Sequence, residues 1–166
     1  TMNKRRVVIT GLGIVSPVGN NVNDAWSNII NGVSGIASIT NIDTEAQAVK
    51  FGGAVKDFDV SNYLSPKEAK KMDIFIHYGM AAGIQAFEDS GIEVTDENAE
   101  RIGVAIGAGI GGLTTIEKTA DLFREKGPKR ISPFFVPSSI INMVSGNMSI
   151  KFGLKGPNFA IVTACT

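Results

Sequence analysis

Three short apolar runs along the chain predict buried β-strands. They occupy residues 7–10, 102–107 and 158–166, and none of them contains a charged side chain. Short apolar runs of this kind, bounded by glycine or proline, are typical of strands that are buried on both faces. A fourth run, at residues 51–58, contains glycine, which favours a weak strand at the periphery of the protein.

Helix signals occupy much of the chain between these runs. The first predicted helix begins at a capping Asn23 and ends near Gly32. A second helix begins at Ser65, which is followed by proline at the first helical position. The inner face of the first helix is expected to consist of Trp26, Ile29, Ile30 and Val33.

Residues 73–90 predict a longer helix that is apolar on nearly all sides, so we expect it at the centre of the protein. Two more helices are predicted further along the chain. The later of the two begins at a capping Ser138 or Ser139 and ends near Gly153. Residues 131–137 are expected to be extended, because each of their prolines biases its neighbour away from helix. The earlier of these two helices follows a glycine-rich turn, and we expect it to bury the stripe Leu113, Ile116, Ala120 and Phe123.

Strands that are separated by helices indicate an α/β fold. Such a fold has a mainly parallel sheet with helices on both faces. The sequence contains no internal repeat and no low-complexity linker. We therefore expect residues 1–166 to form one domain.

Composition and charge exclude several classes of function. Hydrophobic residues make up 43% of the 166 residues and the formal net charge is +0, so we expect a soluble protein that binds neither nucleic acid nor a membrane. The apolar run at residues 74–87 is too short to span a bilayer. The single cysteine excludes an internal disulfide and a cysteine-based metal site. We predict a cytoplasmic protein without a metal site.

Cys165 is the only cysteine and lies in the last predicted strand. Open α/β sheets place their functional sites at the carboxyl ends of parallel strands, and a helix after the cysteine would favour its thiolate. An unpaired cysteine is also commonly a small buried hydrophobic residue. From the residues alone, a nucleophile and a structural cysteine both remain open.

The spacing of Gly107, Gly109 and Gly112 matches a dinucleotide-binding fingerprint between a predicted strand and a predicted helix. The fingerprint also needs an acidic residue about twenty positions later, at the end of a second strand. The only candidate, Glu125, lies inside the helical pattern instead. A tight turn or another close backbone contact is the alternative explanation, and a dinucleotide-binding module is kept as a second hypothesis.

The remaining candidate residues are one histidine and two basic clusters. His77 lies in the most apolar helix, so we expect a hydrogen-bonded structural residue rather than a base for Cys165. Each basic cluster by itself is typical of a solvated face, and the two gain interest only as a pair. The clusters are Lys67, Lys70 and Lys71, and Lys129 and Arg130.

Four motifs occur in order along the chain: KRRVVITGLG at residues 4–13, GAGIGG at 107–112, ISPFFVP at 131–137 and TACT at 163–166. Together they resemble the bacterial β-ketoacyl-[acyl-carrier-protein] synthase II family over the whole chain. The resemblance implies the first half of a thiolase-like fold, a homodimer and a role in fatty-acid elongation without a cofactor. Family members transfer an acyl chain from carrier-protein phosphopantetheine to a cysteine and then condense it with malonyl-carrier protein, with loss of carbon dioxide.

The resemblance implies roles for matching residues. Cys165 resembles the acylated nucleophile, with its own backbone N–H as one oxyanion donor. Ile110 resembles the residue that gates the acyl pocket, and Phe135 resembles a pocket-lining residue that is contributed across the dimer. The positions at which the family docks its acidic acyl carrier protein correspond to Lys67, Lys70, Lys71, Lys129 and Arg130.

The sequence departs from the family pattern in two respects. Pro66 and Lys70 stand where relatives often carry arginine, and lysine cannot form the bidentate fork of arginine. The family's catalytic histidines, its lysine and its second oxyanion donor lie downstream of the cysteine, and His77 is not one of them. We therefore expect residues 1–166 to be truncated just after the nucleophile, to be inactive in condensation alone, and to expose apolar surface.

Overall fold

The computed structural model describes residues 4–163, which divide into two compact units. One unit comprises the described residues before Asp59 together with Ala82–Ile92, and the other comprises Asp59–Ala81 and the described residues from Glu93 onward. The helices and strands of the described residues are α1 (Val22–Ile30), β1 (Ala37–Ser38), β2 (Phe51–Gly52), α2 (Pro66–Ala69), α3 (Ile74–Ser90), β3 (Val104–Ala105), α4 (Leu113–Lys126), α5 (Phe135–Ser139), α6 (Met143–Phe152) and β4 (Asn158–Phe159).

In the first unit, helix α1 begins after a different asparagine from the one predicted. The Oδ1 atom of Asn21 accepts a hydrogen bond from the backbone N–H of Asp24 at 2.9 Å. Asn21 has the extended backbone of a cap (φ −150°, ψ 166°), whereas Asn23 already lies inside the helix. The predicted end is confirmed, because Gly32 follows the helix with a φ of +65°.

The predicted inner face of α1 is wrong. Ala25 is the one buried residue of this helix, and it lies so close to the loop before α1 that a Cβ on Gly19 would be 2.5 Å from the Ala25 backbone nitrogen. The described chain covers the larger apolar side chains of the predicted face only in part. At least half of the surface of each remains exposed: Trp26, Ile29, Ile30 and Val33.

Strands β1 and β2 form a two-residue antiparallel ladder in the first unit. This pairing confirms a peripheral strand at the start of residues 51–58. The strand ends after Gly52, and Asp57 has a φ of +52°, which is a left-handed backbone conformation that strands do not contain.

Residues 7–10 form no strand in the described chain, so that prediction is wrong. Val7 and Ile9 are 91% and 83% exposed, because no described segment pairs with this run as a buried strand requires. Just beyond it, the chain packs on the second half of α3. Gly11 lies there, and a Cβ at this position would overlap the backbone carbonyl of Ala86.

In the second unit, the first half of α3 packs against α6. Ile76, Met80 and Val144 are at most 2% exposed. Gly79 permits the close packing, because a Cβ there would lie 2.6 Å from Cγ1 of Val144. The predicted burial is thus confirmed for the first half of this helix, and Gly91 ends the helix with a φ of +64°.

Strands β3 and β4 pair in parallel in the second unit, which confirms the predicted direction. Two further hydrogen bonds extend the ladder: the N–H of Ile106 donates to Phe159 O and the N–H of Ala108 donates to Ile161 O, both at 3.3 Å. The regular strands are shorter than the predicted runs. The backbones come very close here, since a Cβ on Gly107 would lie 2.7 Å from Ile161 O.

The segment predicted to be extended at residues 131–137 is helical at its end, where α5 begins at Phe135. Pro137 is tolerated because it lies in the first turn, whose backbone N–H groups have no partner within the helix. The prolines thus restrict the neighbouring backbone without excluding a short helix after Pro133.

The last two predicted helices differ from expectation, α6 in the residue that precedes it and α4 in the burial of its apolar side chains. Ser138 and Ser139 lie inside α5 and do not cap α6, which follows Asn142. The predicted end of α6 is confirmed, because Gly153 has a φ of +67°. No residue of α4 is buried, so its predicted buried stripe is wrong: Leu113, Ile116 and Phe123 are exposed and Ala120 is half-buried.

Within residues 4–163, none of the helices has the length and apolar character needed to cross a membrane.

Candidate functional site

The glycine turn, residues 107–112, leads from β3 into α4 as the sequence predicts. Gly111 adopts a φ of +98°, a conformation that other residues rarely accept. Gly112 is buried, and a Cβ on it would lie 2.7 Å from the Cα of Ser139. The glycines at these two positions are therefore explained by close packing of the turn against the end of α5.

Several backbone N–H groups at the start of α4 already have partners within the protein. The N–H of Gly112 donates to Ser139 O at 2.8 Å. The carboxylate Oδ2 of Asp73 accepts from the Thr115 N–H at 2.8 Å and from the Thr115 hydroxyl at 2.6 Å. A dinucleotide would need these N–H groups for its pyrophosphate, so the second hypothesis is not favoured.

Asp73 joins three segments of the second unit. Its other carboxylate oxygen, Oδ1, accepts from the Phe75 N–H at 3.2 Å and caps α3, and its own N–H donates to Ser138 O at 3.2 Å. Only 5% of Asp73 is exposed. Sequence reasoning missed this role. An aspartate directly before an apolar helix predicts a cap for that helix, but it does not predict that the same carboxylate also accepts hydrogen bonds from Thr115 at the start of α4.

Ile110, the predicted gate residue, lies on the glycine turn and is 67% exposed. The turn runs beside the extension of β4, where Ala108 hydrogen-bonds to Ile161. The chain continues from Ile161 towards Cys165, which lies outside the described residues. The structure thus places the turn next to the segment that leads to the predicted nucleophile.

Phe135, the predicted pocket residue, is half-buried at the start of α5. Its carbonyl oxygen accepts hydrogen bonds from the hydroxyl groups of Ser138 at 2.9 Å and Ser139 at 2.8 Å. The carbonyl of Ser139 in turn accepts from Gly112. The segments that carry Ile110 and Phe135 are therefore joined directly by a backbone hydrogen bond.

The structure brings the segments of the two basic clusters together. The Nζ atom of Lys71 lies 4.8 Å from the centroid of the Phe134 ring, a cation–π contact. Lys129 and Arg130 lie in the 3₁₀ turn Pro128–Arg130, a few residues before Phe134, and both are exposed. In the described chain neither cluster forms a salt bridge, so the positive charges remain available to a partner.

A sixth cation, Lys151 of α6, lies near the first cluster. Its Nζ donates to Tyr63 O at 3.4 Å. The pKa of Glu68 is lowered chiefly by the hydrogen bond from the Ser65 side chain, with smaller contributions from the positive charges of Lys151 and Lys71. Sequence reasoning missed Lys151 because it is distant along the chain. We define the basic surface as Lys67, Lys70, Lys71, Lys129, Arg130 and Lys151.

His77 is a structural residue, as predicted. Its Nε2 atom lies 2.9 Å from the carbonyl oxygen of Ala69, and because a carbonyl only accepts, Nε2 carries the proton of this hydrogen bond. Among the described residues, no three acidic, histidine or cysteine side chains lie close enough together to hold a metal ion. A polar cavity of about 580 Å³ in the first unit, lined by residues such as Ser16, Asn28 and Lys56, contains none of the predicted site residues.

Sequence comparison relates the chain to enzymes of known class. The family profile described as "Beta-ketoacyl synthase, N-terminal domain" matches residues 4–166. Over 165 residues the chain is 59% identical to the 3-oxoacyl-[acyl-carrier-protein] synthase 2 of Vibrio harveyi and 52% identical to that of Coxiella burnetii. Each alignment covers 99% of this chain and 40% of the relative, so the chain spans about 40% of the length of these curated relatives.

Solved structures share the fold. The ishigamide ketosynthase/chain length factor matches with a TM-score of 0.81 at 23% identity, over 98% of this chain and 41% of that chain. A type II PKS acyl-carrier protein in complex with its ketosynthase bound to the hexaketide matches with a TM-score of 0.72 at 26% identity, over 89% of this chain and 40% of that chain. The predicted thiolase-like α/β fold is confirmed. The chain belongs to the β-ketoacyl synthase family, and its residues 4–166 match the N-terminal domain of that family.

Proposed function

We propose that the full-length protein containing this chain is a 3-oxoacyl-[acyl-carrier-protein] synthase that elongates fatty acids, with residues 1–166 as its N-terminal domain. The observation that carries the proposal is the 59% identity to a curated relative of that name over 99% of the chain. The resemblance of the four sequence motifs supports the same reaction. The proposal also includes a homodimer in the cytoplasm.

In the proposed reaction, the thiolate of Cys165 attacks the thioester carbonyl of an acyl carrier protein. The new bond joins the acyl carbon to the Cys165 sulfur, the bond to the phosphopantetheine sulfur breaks, and the released carrier thiolate takes up a proton. The backbone N–H of Cys165 stabilises the oxyanion. Malonyl-carrier protein then loses carbon dioxide, and its carbanion attacks the acyl carbon and expels the Cys165 thiolate.

Ile110 is proposed to gate the acyl pocket of its own subunit, and Phe135 is proposed to line the acyl pocket of the other subunit of the dimer. Both residues would limit the length of acyl chain that a pocket accepts. The hydrogen bond from Gly112 to Ser139 supports a link between the two roles, because it joins the turn that carries the gate to the helix that begins at Phe135. The glycine turn also lies beside the segment that leads to Cys165. A gate at this position would control access of the acyl chain to the sulfur.

The basic surface is proposed to dock the acidic acyl carrier protein. Its cations make no salt bridges in the described chain, so a partner that carries several carboxylates can pair with them. Glu68 lies among them but accepts two hydrogen bonds from Ser65, at 2.8 and 2.6 Å, which hold its carboxylate in the α2 cap. A related ketosynthase has been solved in complex with its acyl-carrier protein, which supports this class of partner.

A condensation assay tests the function. The full-length protein, incubated with hexanoyl- and malonyl-carrier protein, is expected to release carbon dioxide and form the β-ketoacyl product, whereas Cys165→Ala is expected to form none. Asp121→Ala is a suitable control, because Asp121 is an exposed α4 residue that pairs with Arg124 on the same helix. Product formation by Cys165→Ala at the wild-type rate would rule out the proposed nucleophile.

A further inference from the structure

We propose that Asp73 is a positioning residue that fixes the glycine turn and thereby sets the chain-length discrimination of the acyl pocket. The inference rests on the proposed function, since it concerns the pocket that Ile110 is proposed to gate. Asp73 matches none of the residues that the family resemblance singles out. Its role follows from the contacts of its buried carboxylate and backbone.

The two carboxylate oxygens of Asp73 hold two helices by their first turns. Oδ1 accepts from Phe75 in α3, while Oδ2 accepts both from the backbone and from the hydroxyl of Thr115 in α4. Hydrogen bonds to an ionised acceptor are stronger than those between neutral groups, and burial shields them from water. Asp73 therefore fixes the start of α4 relative to α3.

The glycine turn is held between this anchor and α5. Gly112 immediately precedes α4, and its N–H donates to Ser139 O, while the N–H of Asp73 donates to Ser138 O. The turn and the start of α5 are thus both tied to the Asp73 segment. A loss of the bonds to Thr115 would free the start of α4 and, with it, the position of Ile110.

Two substitutions separate the carboxylate from the rest of the fold. Asp73→Asn keeps an oxygen that can accept from Phe75 but turns an N–H₂ group towards the Thr115 N–H, so that donor faces donor. Thr115→Val removes only the hydroxyl and keeps the shape of the side chain. Thr115→Ser restores the hydroxyl and is the conservative rescue variant.

The readout is kcat/KM of the full-length protein for carrier-bound acyl chains from hexanoyl to hexadecanoyl. The ratio of kcat/KM between the best and the worst chain length is expected to fall roughly tenfold in Asp73→Asn and roughly threefold in Thr115→Val. The effect is larger in Asp73→Asn because that variant disturbs the bond to the Thr115 N–H, whereas Thr115→Val removes only the bond to the hydroxyl. Thr115→Ser should retain the wild-type profile. If Asp73→Asn does not fold, Thr115→Val and its rescue still decide the question.

Val144→Ala is the control for general destabilisation. Val144 is buried against Gly79 in the same unit and is not among the hydrogen-bond partners of the Asp73 carboxylate, so this variant should lower the melting temperature and leave the profile unchanged. An unchanged profile in both Asp73→Asn and Thr115→Val would overturn the positioning role, as would a wild-type profile that is already flat. Failure of the wild-type protein to acquire any acyl group would instead refute the proposed function.

Discussion

Gly109 and Gly112 belong to one turn and to one sequence fingerprint, but the structure requires only Gly112 to be glycine. Gly112→Ala is expected to lower the free energy of unfolding by about 2–3 kcal/mol, because the added Cβ would lie 2.7 Å from the Cα of Ser139. Gly109→Ala is the matched control: nothing lies within 4 Å of its Cβ position, and we expect a change within about 0.5 kcal/mol. Urea denaturation of the full-length protein measures both, and equal losses would contradict this account of the turn.

The residue types of the site were visible in the sequence, but several of their partners were not. Gly107, Gly109 and Gly112 match a known fingerprint, yet the residues that occupy the α4 N-terminus come from distant positions. Asp73 and Thr115 meet only after α3 and α4 have packed, so no local pattern marks them as a pair. This long-range contact is why the fingerprint alone suggested a nucleotide.

At the scale of elements, the helix ends marked by glycine were predicted well, whereas the predicted N-terminal caps of α1 and α6 were wrong. The glycines after α3 and α6 end those helices as predicted. Helix α2 begins after Ser65 as predicted, and Ser65 and Glu68 form a capping box there. Elements that depend on distant partners were predicted less well. Residues 7–10 have no strand partner in the described chain, and α5 forms where an extended segment was predicted, with a proline tolerated in its first turn.

Two glycines, one within α6 and one directly after it, are expected to change stability in opposite directions when replaced by alanine. Gly153 follows the helix with a φ of +67°, so Gly153→Ala should destabilise the protein by about 1 kcal/mol. Gly146 lies in the helix, and its Cβ would make only an ordinary contact of 3.9 Å with the sulfur of Met143. Gly146→Ala should therefore stabilise the protein by about 0.5–1 kcal/mol, and thermal unfolding of both variants tests the pair. Changes of the same sign would argue against the helix end described here.

The capping box of α2 should make a small, pH-dependent contribution. The pKa of Glu68 lies below its ordinary value of 4.5, chiefly because the Ser65 side chain donates to the carboxylate. A lowered folded-state pKa stabilises the fold above the ordinary pKa, and this contribution is lost as the pH falls through the lowered value. Glu68→Gln should cost less than about 1 kcal/mol at neutral pH, since the carboxylate is exposed.

Urea unfolding over a pH series measures that contribution. The difference between the wild type and Glu68→Gln should shrink as the pH falls below 4.5. A difference that grows on acidification would mean that Glu68 does not act as an ionised cap.

At the scale of the whole molecule, the expected exposure of apolar surface is confirmed for the described residues. Val7, Ile9, Phe159 and Ile161 are each at least half exposed, although their sequence pattern is that of buried strands. The pattern predicted the α/β fold correctly, but it could not predict which strands would find partners within these residues. The chain spans about 40% of the length of its curated relatives.

The basic surface predicts a charge-dependent association with acyl carrier protein. Lys151→Glu should weaken binding by about tenfold at low salt and less at high salt, because it places a negative charge beside the proposed docking residues. Lys155→Glu makes the same change of charge at an exposed residue whose backbone bonds to Ala99, and it should alter affinity by less than about twofold. Calorimetric titration of the full-length protein with carrier protein compares them. Equal effects would show that net charge, and not this surface, governs binding.

The most direct test of the central claim is the intact mass of the full-length protein after incubation with an acyl-carrier protein and without malonyl-carrier protein. The wild-type protein is expected to gain the mass of one acyl group, and peptide mapping should locate that group on Cys165. Cys165→Ala should remain at its starting mass. An adduct of the same mass and extent on Cys165→Ala would contradict the assignment of Cys165 as the acyl acceptor.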